Sequence, residues 1–259
     1  MEIQNIYIIP DRKDLERSLF LVQEYGVHFE YNDFFLPVIM DDEKTIGEII
    51  SLYESCASLP GGNSMHGAFL DVTIHSDDPL IRKISDIRIR QSIAIAQRAS
   101  VKRVVFHTGL IPGFILPSYL EGFEKKNEAY FRELCAEFPD MEILMENMFD
   151  DTPAPLAGLA AKLKDVENFG VCFDYAHAHV FGKNVPIEEW VQALAPYVKH
   201  LHINDNDLYN DSHDALGSGK IDYSKFKKYY ETYFPTASVL LEVSGYEKAK
   251  CSLQYLKEL

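Results

Sequence analysis

The 259-residue chain is 47% hydrophobic and 25% charged, the composition of a globular protein with a substantial core. Its 25 basic and 40 acidic residues leave a formal net charge of −15, which argues against unaided binding to a polyanion, because nucleic-acid affinity rests largely on Lys and Arg neutralising phosphates. No apolar run approaches a membrane span, and Met1 leads straight into Glu2 and a short apolar strand, so the expectation is a cytoplasmic enzyme with no membrane partner.

Short apolar, β-branched runs alternate with helical stretches along the chain. In order, strands are predicted over 3–9, 27–31, 64–68, 101–107, 142–147, 170–174, 198–203 and 238–243. Runs such as VVF and ILM are apolar throughout, which suits a parallel sheet buried on both faces. Between them the helical pattern is clear over 85–98, where Ile89, Ile93 and Ala96 fall at i, i+4 and i+7 among polar residues. Eight such units at about 250 residues fit a single-domain (β/α)8 TIM barrel over 1–259, with a doubly wound open sheet as the other arrangement. No Gly-, Ser- or Pro-rich linker divides the chain. Cys56, Cys135, Cys172 and Cys251 lack any Cys-x-x-Cys spacing, so buried reduced thiols are expected rather than disulfides or a zinc knuckle.

Polar residues enter abruptly where these strands end, the end at which barrel enzymes keep their chemistry. His66, His107, Glu146, Asp174, His177, His202, Asp211, His213 and Glu242 all lie at strand ends or in the loops just beyond. A single strand-end His is more often a hydrogen-bonded structural residue than a ligand. Five imidazoles and four carboxylates together exceed one ion's needs and suit a multinuclear site for divalent ions. Glu146 closes ILME and Glu242 closes LLE, so each places a carboxylate in an apolar strand, where a cation is the simplest compensation. Asp174 and His177 are three residues apart, which brings both to one side of the first turn after the strand.

In DSHDALGSGKID, Gly217, Gly219 and Lys220 with Ser218 could hold a phosphate or a sugar hydroxyl through close-approaching amides, and a simple turn before a helix capped near Asp222 fits equally. Glu30 reads as a substrate contact or as an ion pair at the barrel mouth. His75 reads as part of a polar loop, and His179 and His200 as partners that orient ligands or as packing residues. Tyr175, Phe149 and Phe181 read as walls of the site or as aromatic core packing, and Phe69 and Leu70 as an apolar wall over a small substrate or as residues that could probe a duplex.

Taken in order, the segments MHGAFLDV, VVFHTG, MEN, CFDYAH, LHIND, DSHDALGSGKID and LLEV resemble the xylose-isomerase-like TIM-barrel superfamily, which includes sugar isomerases and epimerases and the type IV apurinic endonucleases. The resemblance runs from Ser64 to Gly245. The epimerase branch implies one Mn²⁺ or similar ion at Glu146, Asp174, His202 and Glu242. It also implies proton transfer next to a carbonyl by the two glutamates and a substrate contact from His177. That branch tends to carry an Arg soon after the residue matching His202, and Leu208 and its neighbours supply none. The endonuclease branch implies three Zn²⁺ ions on all nine positions. Its basic N-terminal recognition loop is replaced here by EYNDFFLPVIMDDE. The expected function is a metal-dependent sugar or sugar-phosphate isomerase or epimerase using one to three Mn, Zn, Mg or Co ions, with Glu146, Glu242 and His177 as catalytic residues. The alternative is a multinuclear zinc phosphoesterase. A small-molecule sugar or sugar phosphate is the expected partner, nucleic acid is disfavoured, and a homo-oligomer is left open.

Overall fold

A computed structural model describes residues 3–54 and 62–259. Eight parallel strands close into a barrel in sequence order: β1 (Ile6–Ile8), β2 (His28–Tyr31), β3 (Ser64–His66), β4 (Arg103–His107), β5 (Glu142–Glu146), β6 (Phe169–Asp174), β7 (Val198–Ile203) and β8 (Ser238–Leu241), with β8 paired back to β1. This is the expected single-domain TIM barrel, with no open sheet edge among the described residues. Several predicted strands are longer than the observed ones, because chain that is apolar and extended continues past the last ladder pair. β6 starts one residue early, at Phe169.

Helices α1 (Leu15–Tyr25), α2 (Pro37–Met40), α3 (Glu43–Glu54), α4 (Pro79–Arg98), α5 (Pro117–Glu137), α6 (Ala154–Lys162), α7 (Tyr175–Val180), α8 (Ile187–Leu194), α9 (Tyr223–Tyr233) and α10 (Tyr246–Glu258) link and follow the strands. Helix α4 begins six residues before the amphipathic pattern does. Asp78 caps it by accepting from the Leu80 amide, and Pro79 occupies the first turn, where its missing N–H costs nothing. Its early apolar residues, Leu80, Ile81 and Ile84, stay exposed, so the buried stripe registers only from Ser85 onward.

Alternation along the strands divides the core in two. Val104 and Phe106 belong to the large cluster between sheet and helices, whereas Val105, Leu144 and Cys172 form a separate apolar plug inside the barrel. Beneath the plug, Arg103 donates to Glu142 Oε2 at 2.6 Å and to Ser238 Oγ at 2.7 Å. The other side of the lumen carries a chain of polar side chains. His200 Nδ1 lies 2.7 Å from Ser238 Oγ and its Nε2 3.3 Å from Glu30, which in turn reaches His202 at 3.2 Å. Cys135 and Cys172 are buried as expected, but Cys251 is exposed on α10 because it lies on the helix's outer face; Cys56 lies outside the described residues. No described helix is long and apolar enough to cross a membrane.

Candidate metal centre

His66, His107, Glu146 and Asp174 are the final residues of β3, β4, β5 and β6, so one end of the barrel presents them together. Register brings them side by side: His107 pairs with Glu146 and Asp174 with His202. Glu242 immediately follows β8, where its amide extends the ladder by donating to the Ile203 carbonyl at 2.9 Å. Asp174 also caps α7. Its Oδ1 accepts from the His177 amide at 2.6 Å, so the three-residue spacing sets both side chains over the site.

The nine predicted side chains fall into three overlapping groups. In the first, His66 Nε2 and His107 Nε2 lie 3.1 Å apart, each 3.6 Å from Glu146 Oε2. In the second, Glu146, Asp174, His177 and Glu242 place ligand atoms within 4.8 Å of one another, and His202 adjoins them with its Nδ1 3.3 Å from Glu146 Oε2 and 3.6 Å from Glu242 Oε2. In the third, Asp211 Oδ2 sits 3.3 Å from His177 Nε2 and 3.2 Å from His213 Nε2. Glu146 serves two groups and also faces His177, whose Nδ1 is 3.4 Å from its Oε1.

The ring orientations suit cations rather than internal hydrogen bonding. His66 Nδ1 lies 3.0 Å from the Gly67 carbonyl, His177 Nδ1 3.0 Å from that of Asn147, and His213 Nδ1 2.8 Å from that of Glu242. A carbonyl only accepts, so each Nδ1 carries a proton and each Nε2 faces the site, able to give a lone pair there once it holds no proton of its own. His202 is reversed: its Nε2 faces the Glu30 carboxylate and its Nδ1 faces the cluster. Both Glu146 oxygens, Asp174 Oδ2, His202 Nδ1 and Glu242 Oε2 are buried without a hydrogen-bond partner. Buried polar atoms are rarely left so, and divalent ions, if bound here, would satisfy them. Cys172 also lies beside His202 and Glu146, where burial pushes its thiol well above the usual range.

The loop after β7 reaches the site because it is pinned twice. Asp205 and Asp214 exchange backbone hydrogen bonds at 2.9 and 2.8 Å, and Lys248 donates to the His213 carbonyl at 2.9 Å. His213 takes a φ of 47°, a left-handed conformation unusual for a residue with a side chain, and one that aims its ring at Asp211. The glycines nearby have another use. The amides of Gly217 and Ile221 donate to the Asp205 carboxylate and that of Lys220 to the Asn206 carbonyl, while a Cβ on Gly219 would lie 2.3 Å from Asp205 Oδ1. Gly217, Gly219 and Lys220 therefore build the turn before α9, which Asp222 caps, and those amides are not turned toward a ligand.

Electrostatically the cluster is short of positive charge. Burial pushes the Asp174 carboxyl well up, reinforced by Glu242 and Glu146. Burial opposes protonation of His177, yet Asp174, Asp211 and Glu146 carry it well above the usual imidazole range. His213 follows the same balance, raised to about 9 against burial by Asp211 and Glu242. His107 goes the other way, lowered to about 3 by burial and by its imidazole neighbours against the pull of Glu146. Asp174, His177 and His213 thus hold protons where cations would sit.

Around the cluster, Phe69 packs edge-on against His107 with ring centroids 4.9 Å apart, and Phe35 against His66 at 6.1 Å. Phe181 approaches His177 at 5.7 Å and packs on Phe149. Tyr175 instead points into the core against Phe226, because the first residue of α7 faces away from the barrel axis. His75 is buried against Tyr119 and Phe123 rather than in a polar loop, and His179 packs on Tyr175. Glu30 lies beneath the cluster, its carboxylate facing His200 and His202. The sequence does not single out Asn147, whose side chain exchanges hydrogen bonds with the Asp174 backbone at 2.8 and 2.9 Å; a polar residue directly after Glu146 is its only signal.

Among curated proteins, the uncharacterized protein MJ1311 of Methanocaldococcus jannaschii is 27% identical over 202 residues, 75% of this chain and 68% of that one. The solved structure of the TTHB071 protein from Thermus thermophilus, soaked with ZnCl2, has a TM-score of 0.74 at 25% identity and covers 100% of this chain and 97% of its own. A D-tagatose 3-epimerase-like protein gives a TM-score of 0.74 at 22% identity, covering 97% and 96%. Endonuclease IV shares the fold as well. A sequence model of the xylose isomerase-like TIM barrel matches residues 32–259, and the chain belongs to that family.

Proposed function

We propose that the protein is a multinuclear, divalent-metal-dependent hydrolase of small phosphate esters. The observation that carries this reading is the completeness of three ligand groups whose imidazole lone pairs converge on one pocket. Proton transfer on a sugar needs only Glu146, Asp174, His202 and Glu242, and would leave His66, His107, Asp211 and His213 without a task. Bound divalent ions would supply Lewis acidity, activating a water and offsetting charge on the phosphate. The chain's own residues do the rest. Glu146 bridges two groups, Asn147 and Glu30 hold Asp174 and His202 in orientation, and the rings of Phe35, Phe69 and Phe181 limit water access. The net charge of −15 and the acidic loop after β2 favour a small ester over a nucleic-acid backbone.

A sugar isomerase or epimerase remains the second reading, favoured by the four-residue group with its paired glutamates and by the likeness to a D-tagatose 3-epimerase-like protein. Metal analysis of protein purified without chelator, combined with assays on bis(p-nitrophenyl) phosphate and on free and phosphorylated ketoses, separates the two. Three ions with ester hydrolysis are expected; one ion with ketose interconversion and no hydrolysis would overturn the proposal. Salt-sensitive incision of an abasic duplex would keep the chemistry and replace the substrate.

A further inference from the structure

We propose that the substrate carries a compact apolar group, one aromatic ring or a short branched chain, beside its phosphate, and that this group seats in a cleft between the loops after β4 and β5. The inference rests on the phosphoesterase reading. A cleft of about 220 Å³ opens beside His107 and is walled by Leu70, Leu110, Ile111, Met148 and Phe149. It is continuous with the metal centre, because His107 both forms its inner wall and gives Nε2 to the first ligand group. Its size is below the ~300–1,000 Å³ of pockets for drug-sized ligands, which leaves room for a single ring rather than a chain of sugars.

Thr73 and Thr108 also line the cleft, and the Thr108 hydroxyl is already committed, donating to Asp150 at 2.7 Å, so the five large apolar side chains are what a ring would meet. The outer wall is apolar and uncovered: Leu70 is 49% exposed and Ile111 58%, with Phe114 and Ile115 exposed beyond them. Apolar side chains gathered at the mouth of a polar site mark a binding surface. The walls are also held in place. The Ile111 amide donates to the Tyr119 hydroxyl at 3.1 Å and that of Gly113 to Asp151 at 2.6 Å. Gly109, at φ 65°, lets the loop run so close to the Val72 carbonyl that a Cβ would lie 2.8 Å away.

The test is calorimetric binding of phenylphosphonate and methylphosphonate, neither of which can be hydrolysed at an ester, to the metal-loaded protein. Burying most of the ring should make phenylphosphonate bind about tenfold or more tighter. In an Ile111→Asp/Leu70→Asp variant, whose exposed positions tolerate charge, the ratio should fall to about unity while the metal complement is retained. Equal affinity in the parent protein, or a preference that survives the double variant, would overturn the cleft assignment and leave the phosphate site standing. Binding of neither phosphonate would remove the phosphoesterase reading, and this inference with it.

Discussion

Replacing Glu30 by Gln changes one oxygen to an amide far from solvent, and the effect should appear in metal binding. Glu30 is fully buried, with Oε1 3.2 Å from His202 Nε2 and Oε2 3.3 Å from His200 Nε2 and 2.5 Å from Ser64 Oγ. Burial pushes its carboxyl up, but the two imidazoles outweigh burial and hold it well below the ordinary carboxylate range. As a carboxylate it accepts on both sides. A glutamine there can accept from only one ring and presents an N–H to the other. If the amide faces His202, the favourable response is to move the imidazole proton to Nδ1, which lies 3.3 Å from Glu146 Oε2 and would then block the lone pair the metal needs. Outer partners of metal-ligating histidines are worth about 10–100-fold in metal affinity. With no water able to replace Glu30, the upper end applies, about 2.7 kcal/mol. Competition against a chromophoric chelator measures this directly, and E30Q should lose one ion from the Glu146–Asp174–His202–Glu242 group while the Asp211 group keeps its own. Unchanged affinity and stoichiometry in folded E30Q would refute the assignment of Glu30 as the residue that sets His202.

Asp211→Asn or His213→Ala should remove one ion and depress ester hydrolysis at least tenfold, because each breaks the third group; elemental analysis showing full occupancy in either variant would contradict it. Since His213 is raised to about 9 in the metal-free protein, metal binding at neutral pH must displace its proton, so affinity should rise with pH toward 9 and calorimetry in buffers of different ionisation enthalpy should register proton release. By the same sign, His213 contributes stability to the metal-free protein that is full below about pH 6.5 and is lost as pH rises through about 9, whereas the loaded protein should show no such loss; matching melting profiles in the two forms would argue against it. Gly219→Ala should lower stability by about 1–3 kcal/mol, roughly 2–4 °C in Tm for each kcal/mol, because its Cβ would lie 2.3 Å from Asp205 Oδ1 and 2.4 Å from the Asn206 carbonyl. A melting curve matching the parent would show that the turn yields freely.

The barrel and the cluster were legible for one physical reason: carboxylates and imidazoles interrupting apolar strands stand out against a period that burial imposes. Glu146 at the end of ILME and Asp174 at the end of VCFD are of that kind. What stayed hidden depends on long-range geometry. The first turns of α4 carry exposed isoleucines that mimic a buried stripe out of phase. The glycines after His213 look like an anion loop, yet their nearest acceptor is Asp205, twelve residues before Gly217, and no local pattern reveals that pairing. Likewise nothing in HFEY says whether Glu30 meets substrate or histidine, because its partners arrive from β7.

In most barrels of this type one rim carries chemistry and the opposite rim carries stability, and the two can drift separately. Here that independence is broken on one side of the lumen. Arg103, at the far end, binds Ser238, which contacts His200, which contacts Glu30, which faces His202. A change at Arg103 that looks remote and merely structural would alter the charge felt by Glu30 and hence the proton position on a ligand ring. Variants at the foot of the barrel therefore belong in any survey of metal selectivity, and a redesign that replaces the lower polar layer with packed hydrocarbon could gain rigidity while losing an ion.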